Sequence, residues 1–311
     1  MKAAQIFDYG GQDVMKTVDT AEKPKAGPGQ VLVEVHAAAL NPFDWKVREG
    51  HVQAYIKLEF PAILGGDVAG VVAELGGGVS GFEVGQAVYG SAGAASGQGS
   101  LAEFTPVKAD QLAPKPSSTD YAQAAALPLA ATSAYQALVE HANLQAGQKI
   151  LIHGGAGGIG SFAIQIAKQL GAYVATTASA EDLEFVTSLG ADEAIDYQAQ
   201  DFATVISGYD AVFDTVGGET NAKSYGVLKS GGVLVSMTDQ PDEEKAKQAG
   251  ITYVHQSSRA TTERLTKVAE LVDAGVLKVN VDKTFSLDQA AEAMEYLKTG
   301  HPRGKVVVEV K

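Results

Sequence analysis

The stretch Lys149-Ile-Leu-Ile-His-Gly-Gly-Ala-Gly-Gly-Ile-Gly160, continuing as Ser161-Phe-Ala-Ile-Gln-Ile-Ala-Lys-Gln-Leu-Gly171, decides the fold of this chain. An apolar run suited to a buried parallel strand leads into glycines, and Ile159, Phe162, Ala163, Ile166, Ala167 and Leu170 follow at helical spacing. Strand, glycine turn and helix form the one context in which G-x-G-x-x-G, here Gly155, Gly157 and Gly160, means more than an ordinary turn. The first glycine is expected to permit the tight turn, the second to let a pyrophosphate reach the backbone, and the third to let helix pack on strand. Gly157, Gly158 and Ile159 then present amides to the anion at the helix start. Dinucleotide binding follows.

Outward from this segment the chain changes texture. From residue 1 to about 115, short β-like runs are split by Gly and Pro: Ala3–Phe7, Gln30–Ala37, Val68–Leu75, Ala87–Tyr89 and Leu101–Val107. This predicts a mostly β domain over 1–119, in which the small, polar stretch Gly90–Ser100 reads as a mobile surface loop or flexible connector. Beyond Pro116-Ser-Ser-Thr-Asp120, helices and strands alternate. A helix at Ser133–His141 is followed by strands at Ile150–His153, Tyr173–Ala178, Glu193–Asp196, Ala211–Thr215, Val233–Met237 and Ile251–His255. The pattern predicts an α/β, doubly wound parallel sheet over 120–275, closed by an amphipathic helix at Thr261–Ala274. Residues 276–311 break the alternation and are expected to return to the first domain. The cofactor is then expected outside the carboxyl ends of the strands, with the β domain as the second wall of a cleft. Val216 and Thr238, just after the fourth and fifth strands, fall on that side.

Composition removes several function classes. With 311 residues, a net charge of −13 and a pI near 4.9, the chain lacks the clustered Lys and Arg of a nucleic-acid surface. No apolar run reaches about 20 residues, and Met1-Lys-Ala-Ala-Gln-Ile-Phe7 lacks the long apolar region of a signal peptide, so a cytoplasmic protein is expected. There is no cysteine, which removes disulfides, thiol nucleophiles and thiolate metal sites. The six histidines show no metal-ligand spacing and read as structural or solvent-facing.

The second strand of the alternating region ends Ala175-Thr-Thr-Ala-Ser179, without the carboxylate that grips an NAD ribose hydroxyl. A small Ser179 leaves room for a 2′-phosphate and favours NADPH over NADH. Against this, Glu181 and Asp182 follow directly and no Arg or Lys stands beside Ser179. Ser179-Ala-Glu-Asp182 also resembles a capping box, and the two roles are compatible.

The chain resembles the zinc-independent members of the medium-chain dehydrogenase/reductase superfamily, of the quinone oxidoreductase (zeta-crystallin-like) type. The motifs carrying the resemblance run nearly end to end: Asn41-Pro-Phe-Asp-Trp-Lys-Val-Arg-Glu-Gly50, Gly65-Gly-Asp-Val-Ala-Gly-Val-Val72, Leu127-Pro-Leu-Ala-Ala-Thr-Ser-Ala-Tyr135, the glycine segment, Leu189-Gly-Ala-Asp192 and Arg303-Gly-Lys-Val-Val307. The resemblance implies a Rossmann sheet domain plus a GroES-like catalytic domain and a homodimer. Zinc alcohol dehydrogenases of the superfamily place a Cys where Asn41 stands, a His-Glu where Gly66-Asp67 stand and a further ligand near Leu129, so it also implies no metal.

An alcohol needs a Lewis acid to give up its proton, whereas a quinone or α,β-unsaturated carbonyl takes hydride with its charge delocalised onto oxygen. The resemblance therefore implies an NADPH-dependent reductase of quinones or related activated carbonyls, without zinc or flavin. Two alternatives stand beside it: reduction of the C=C bond of enones or 2-alkenals, and a non-catalytic, redox-sensing dinucleotide-binding protein. By resemblance, Asn41 orients the nicotinamide ring or donates to the substrate carbonyl, or is simply a turn residue before Pro42. Asp44 fixes that loop. Lys46 replaces the Tyr of better-known quinone reductases, which shifts weight toward the enone reading; its ammonium would stabilise an enolate or hydroquinone oxygen, or lie solvated on the surface. Arg48 neutralises an acid or phosphate, or lies on the surface. Thr132 neighbours the nicotinamide carboxamide or caps a helix, Tyr197 lies near the adenine, and Arg303 and Lys305 return toward the cofactor or are strand-end charges.

Overall fold

The structure, a computed structural model, describes residues 1–93 and 96–311. The chain opens with β1 (Ala3–Ile6), β2 (Met15–Val18), β3 (Gln30–Leu40), α1 (Pro42–Arg48), β4 (Ala62–Ile63), β5 (Asp67–Leu75), β6 (Ala87–Ser91), β7 (Phe104–Lys108), β8 (Leu112–Pro114) and the short α2 (Tyr121–Ala125). From α3 (Pro128–Tyr135) strands and helices alternate through β9 (Lys149–His153), α4 (Gly158–Gln169), β10 (Tyr173–Ala178), α5 (Leu183–Ser188), β11 (Glu193–Asp196), α6 (Phe202–Val205), β12 (Tyr209–Asp214), α7 (Glu219–Ser224), β13 (Leu228–Ser236), α8 (Glu243–Ala249) and β14 (Thr252–His255). Then come α9 (Thr262–Asp273), β15 (Val281–Ser286), α10 (Ala290–Thr299) and β16 (Lys305–Glu309). Among the described residues no helix is long and apolar enough to cross a membrane.

Two compact units result, one of Met1–Leu129, Ala260–Gly275 and Val279–Lys311, the other of Ala130–Arg259 with Val276–Lys278. The boundary falls at Leu129 rather than 119. Helix α9, expected to close the parallel sheet, belongs instead to the first unit. There it is tied to strands of that unit: Tyr89 Oη donates to Leu265 O at 2.5 Å, and the Thr262 hydroxyl donates to Leu112 O at 2.7 Å.

In the second unit, the six strands pair in parallel in the order β11-β10-β9-β12-β13-β14. Numbered by appearance this is 3-2-1-4-5-6, the order of doubly wound dinucleotide folds. Strands covered on both faces need unbroken apolar runs, and Ile150, Leu151, Ile152, Val212, Phe213, Leu234 and Val235 supply them, each at most 1 % exposed. Helix α4 buries Phe162, Ala163, Ile166 and Ala167 as expected and Ile164 besides, so its apolar face is wider than the stripe read from the sequence. Helix α3 begins at Pro128, five residues before the predicted start, with proline in the first turn where a missing N–H costs nothing. A π-helical turn, Gln136–His141, continues it.

The first unit holds an antiparallel β2-β1-β4 sheet and a larger sheet, β15-β16-β3-β5-β6-β8, with β7 also on β3. On β3, Val31, Val33 and Val35 alternate into one core cluster with Val68, Val72, Val88 and Leu112. A register shift against β5 between Val35 and Ala37 changes the parity, and Ala38 and Leu40 join a second cluster with Leu64, Leu101, Phe285, Met294 and Val306. Of the expected carboxyl-terminal return, Val279–Lys311 lie in this unit and Val276–Lys278 in the other; β16 runs antiparallel to β3 with Val306 opposite Leu40. The predicted loop Gly90–Ser100 is built in at both ends: Gly90 and Ser91 lie in β6, Ala92 and Ser100 are buried, and a Cβ on Gly99 would come 2.3 Å from Leu64 O. Its centre, Ala94 and Ala95, lies outside the described residues.

The glycine helix imposes the tightest limit in the second unit. A Cβ on Gly160 would sit 2.1 Å from Gly154 O, backbone that cannot swing aside. Gly160→Ala is expected to lose about 1–3 kcal/mol of stability by overpacking, read as a lower urea midpoint.

Candidate functional site

The turn between β9 and α4 is held by backbone hydrogen bonds, which leaves its amides in fixed directions. Gly154 has φ +72° and Gly157 N–H donates to its carbonyl at 3.1 Å. The left-handed residue is therefore Gly154, one position before the glycine to which the turn was assigned. Gly155 is required for another reason, since a Cβ there would meet Thr176 Oγ1 at 2.1 Å. Gly157 is the N-cap of α4 and brings no side chain to cap the first turn, so Gly158, Ile159 and Gly160 form a helix start of twelve residues suited to an anion. These observations fit a dinucleotide pyrophosphate.

The other residues predicted for the nucleotide lie mostly along the carboxyl edge of the same sheet. Tyr197 follows β11 and is 55 % exposed, and Val216 follows β12 and is 54 % exposed. Thr238 follows β13, also exposed, with Oγ1 3.3 Å from Ser236 Oγ. Ser179 follows β10 and caps the short helical turn Ala180–Asp182, but not as a capping box: its hydroxyl donates to Asp182 Oδ2 at 2.7 Å instead of accepting from the backbone. Thr132 is inside α3 rather than at its cap and is 1 % exposed.

Behind this edge stands a buried polar network that sequence reasoning missed. His153 ends β9 with Nδ1 3.1 Å from Thr177 Oγ1 and Nε2 3.0 Å from Ser224 Oγ, and Phe202 packs against its ring. Burial pushes its pKa down to about 4, so the imidazole is neutral near pH 7. Thr177 Oγ1 in turn accepts from Gly154 N–H at 3.3 Å and Thr177 O accepts from Gly155 N–H at 3.0 Å, which ties the glycine turn to β10. Asp214, fully buried at the end of β12, accepts from the N–H groups of Val216 and Gly217 and from Asn221 and Ser236, fixing the next turn along the edge. The signal available in the sequence was a polar residue closing the apolar strands β9 and β12.

In the first unit the structure gathers Asn41, Asp44, Asp67 and Lys305, all buried. Asn41 caps α1, and Asp44 Oδ2 accepts its backbone N–H at 2.7 Å in a capping box. Burial pushes the Asp44 carboxyl up to about 7. The Asn41 amide is turned inward: Nδ2 donates to Asp67 Oδ2 at 2.9 Å and Oδ1 accepts from Lys305 Nζ. Lys305, read as a cofactor contact or a strand-end charge, is 3 % exposed and donates to Leu40 O at 2.9 Å. Burial lowers its pKa and raises that of Asp67, and each charge opposes the shift of the other. Arg48 is not a surface residue: it is fully buried, with Nη2 2.9 Å from Glu49 and 3.4 Å from Glu295. Lys46 is exposed on α1 with Nζ 5.6 Å from the Trp45 ring centroid, and Arg303 is exposed, its backbone bridging Asn280 and Asp282.

Comparison with known proteins agrees with both units. Residues 27–117 match the alcohol dehydrogenase GroES-like domain and residues 189–308 match a zinc-binding dehydrogenase domain. A 2-methylene-furan-3-one reductase of Solanum lycopersicum is 41 % identical over 99 % of this chain and 79 % of its own length. A chloroplastic NADPH-dependent alkenal/one oxidoreductase of Arabidopsis thaliana is 40 % identical with the same coverages. The solved quinone oxidoreductase of Coxiella burnetii superposes with a TM-score of 0.91 at 37 % identity, over 100 % of this chain and 99 % of that one. Fold and glycine turn together define a medium-chain dehydrogenase/reductase. Within that superfamily the chain belongs to the quinone oxidoreductase family.

The residues present do not fit the zinc ion that one matched domain carries in its description. The chain has no cysteine, and among the described residues no group of three or more His, Asp or Glu side chains converges. Where the donors gather, at Asn41 and Asp67, a lysine ammonium stands 3.5 Å from the carboxylate.

His153 makes stability pH-dependent. Its folded pKa of about 4 lies below the ordinary 6.5, so between these values the unfolded chain binds more protons and acid favours unfolding. Stability is expected to fall by roughly 3 kcal/mol from pH 6.5 to 4 through this group alone. Urea unfolding of the wild type and His153→Gln at pH 4.5 and 7 should show a smaller pH difference in the variant.

Proposed function

We propose that the protein is an NADPH-dependent, zinc-free and flavin-free reductase that delivers hydride to quinones and related conjugated carbonyl compounds. The observation that carries this reading is the uncapped start of α4, behind a turn with no room for a side chain at Gly155 or Gly160, at the carboxyl edge of a 3-2-1-4-5-6 sheet. The bound nucleotide supplies the hydride. The chain fixes the pyrophosphate with the amides of Gly157, Gly158 and Ile159, while Ser179, Tyr197, Val216, Thr238 and Thr132 are assigned to the rest of the cofactor. The NADPH dependence of the Arabidopsis relative supports the phosphorylated nucleotide. The Ser179–Asp182 contact argues for tolerance of NADH as well, since a carboxylate beside the 2′ position suits a hydroxyl.

An acceptor that is already electron-poor needs no Lewis acid, because donors suffice for the charge that develops on its oxygen. We assign the exposed Lys46 ammonium to that oxygen. Asn41 and Asp44 act by holding α1, on which Lys46 rides, because their polar atoms are engaged inward. Reduction of an enone C=C bond is the second reading, supported by Lys46 in Asn41-Pro-Phe-Asp-Trp-Lys46 and by the activities named for the two plant relatives. The reading extends to a cytoplasmic homodimer, for which β14 offers an open sheet edge.

Purified protein in excess EDTA should oxidise NADPH with 1,4-benzoquinone or with a medium-chain 2-alkenal, and should not oxidise ethanol with NADP. Loss of all turnover in EDTA would overturn the metal-free chemistry, and nucleotide binding without turnover on any quinone or enone would leave a sensing role. Lys46→Tyr is expected to reduce kcat with the alkenal about tenfold and to spare the quinone, measured as NADPH consumption.

A further inference from the structure

Lys305 opens β16 and points its ammonium into oxygens drawn from separate parts of the chain. Nζ donates to Leu40 O at 2.9 Å, at the end of β3, and to Asn41 Oδ1, at the cap of α1. It lies 3.5 Å from Asp67 Oδ2, at the start of β5. Asp67 is tied onward, accepting from Asn41 Nδ2 at 2.9 Å and, through Oδ1, from Leu129 N–H at 3.0 Å in the first turn of α3. A backbone carbonyl, an amide oxygen and a carboxylate around one buried positive charge make the donor set of a hard metal ion, and an ammonium is a compact point charge with three protons to share among them.

We propose that the Lys305 ammonium is the resident cation of this cluster: it takes the place of a metal ion, closes the site to divalent cations, and positions Asn41 and Asp67 as a ligated ion would. The geometry agrees: Asp67 is the carboxylate facing the ammonium, at 3.5 Å, whereas the buried Asp44 carboxyl is turned to the Asn41 N–H. The proposal does not depend on which acceptor the enzyme reduces.

The test is binding of Mn2+, free of any activity readout. In equilibrium dialysis the full-length wild type should bind no Mn2+ at this cluster, whereas Lys305→Ala, which leaves the oxygens and vacates the cation, should bind about one per chain. Its Tm should drop by about 10 °C and recover at least half of that in saturating Mn2+. If Lys305→Ala does not fold alone, refolding with and without Mn2+ takes its place, and folded protein should appear only with the ion. The double variant Lys305→Met with Asp67→Asn, which removes both charges of the pair, should fold and bind none. The proposal is overturned by wild-type Mn2+ binding that Asp67→Asn abolishes, by a Lys305→Ala protein that neither loses stability nor binds Mn2+, by failure of Mn2+ to restore that variant, or by Mn2+ binding to the double variant.

Discussion

No methyl group fits between Gly160 and the carbonyl of Gly154, and the nucleotide-binding unit is arranged around that limit. The close approach brings α4 against β9 and β10, and its Phe162, Ile164 and Ile166 are all buried. The helix also starts on backbone alone, with Gly157 at its N-cap and no side chain capping the first turn. The turn is rigid for the same reason: it is tied to Thr177 through two amides, and Thr177 is held by the neutral imidazole of His153. The packing of α4 and the geometry of the turn thus rest on one close approach.

The other unit is governed by charge rather than by space. Lys305, Asp67 and Asp44 are removed from water, and groups so buried survive only when they satisfy one another. Their partners come from β3, α1, β5, α3 and β16, so the cost of burial is offset by a network that fixes where α1 begins. That helix carries Lys46 on its exposed face and Arg48 on its buried one, two cations of the same short motif with opposite surroundings.

Much of this was legible in the order of residues. The strand, turn and helix of the glycine segment and the six strands of the parallel sheet are legible because apolar runs and glycine turns report local structure and burial together. The readings that changed did so where the partner is far away in sequence. Helix α9 has an amphipathic face that suits either unit, and only its contacts with Tyr89 and Leu112 assign it to the first. Asn41 and Lys305 looked like groups aimed at a cofactor, yet they meet each other across 264 residues. Asp67 carried a signal, a carboxylate opening an otherwise apolar strand, but nothing local says which cation answers it.

The sequence alone determined the doubly wound fold, the place of its glycine turn and the lack of cysteine, since each follows from residue type and short-range spacing. Tertiary structure decided which polar groups are spent on the protein itself and which stay exposed. That division depends on burial and on partners brought together from distant segments, and a side chain's reach into solvent or core is not written in its neighbours along the chain.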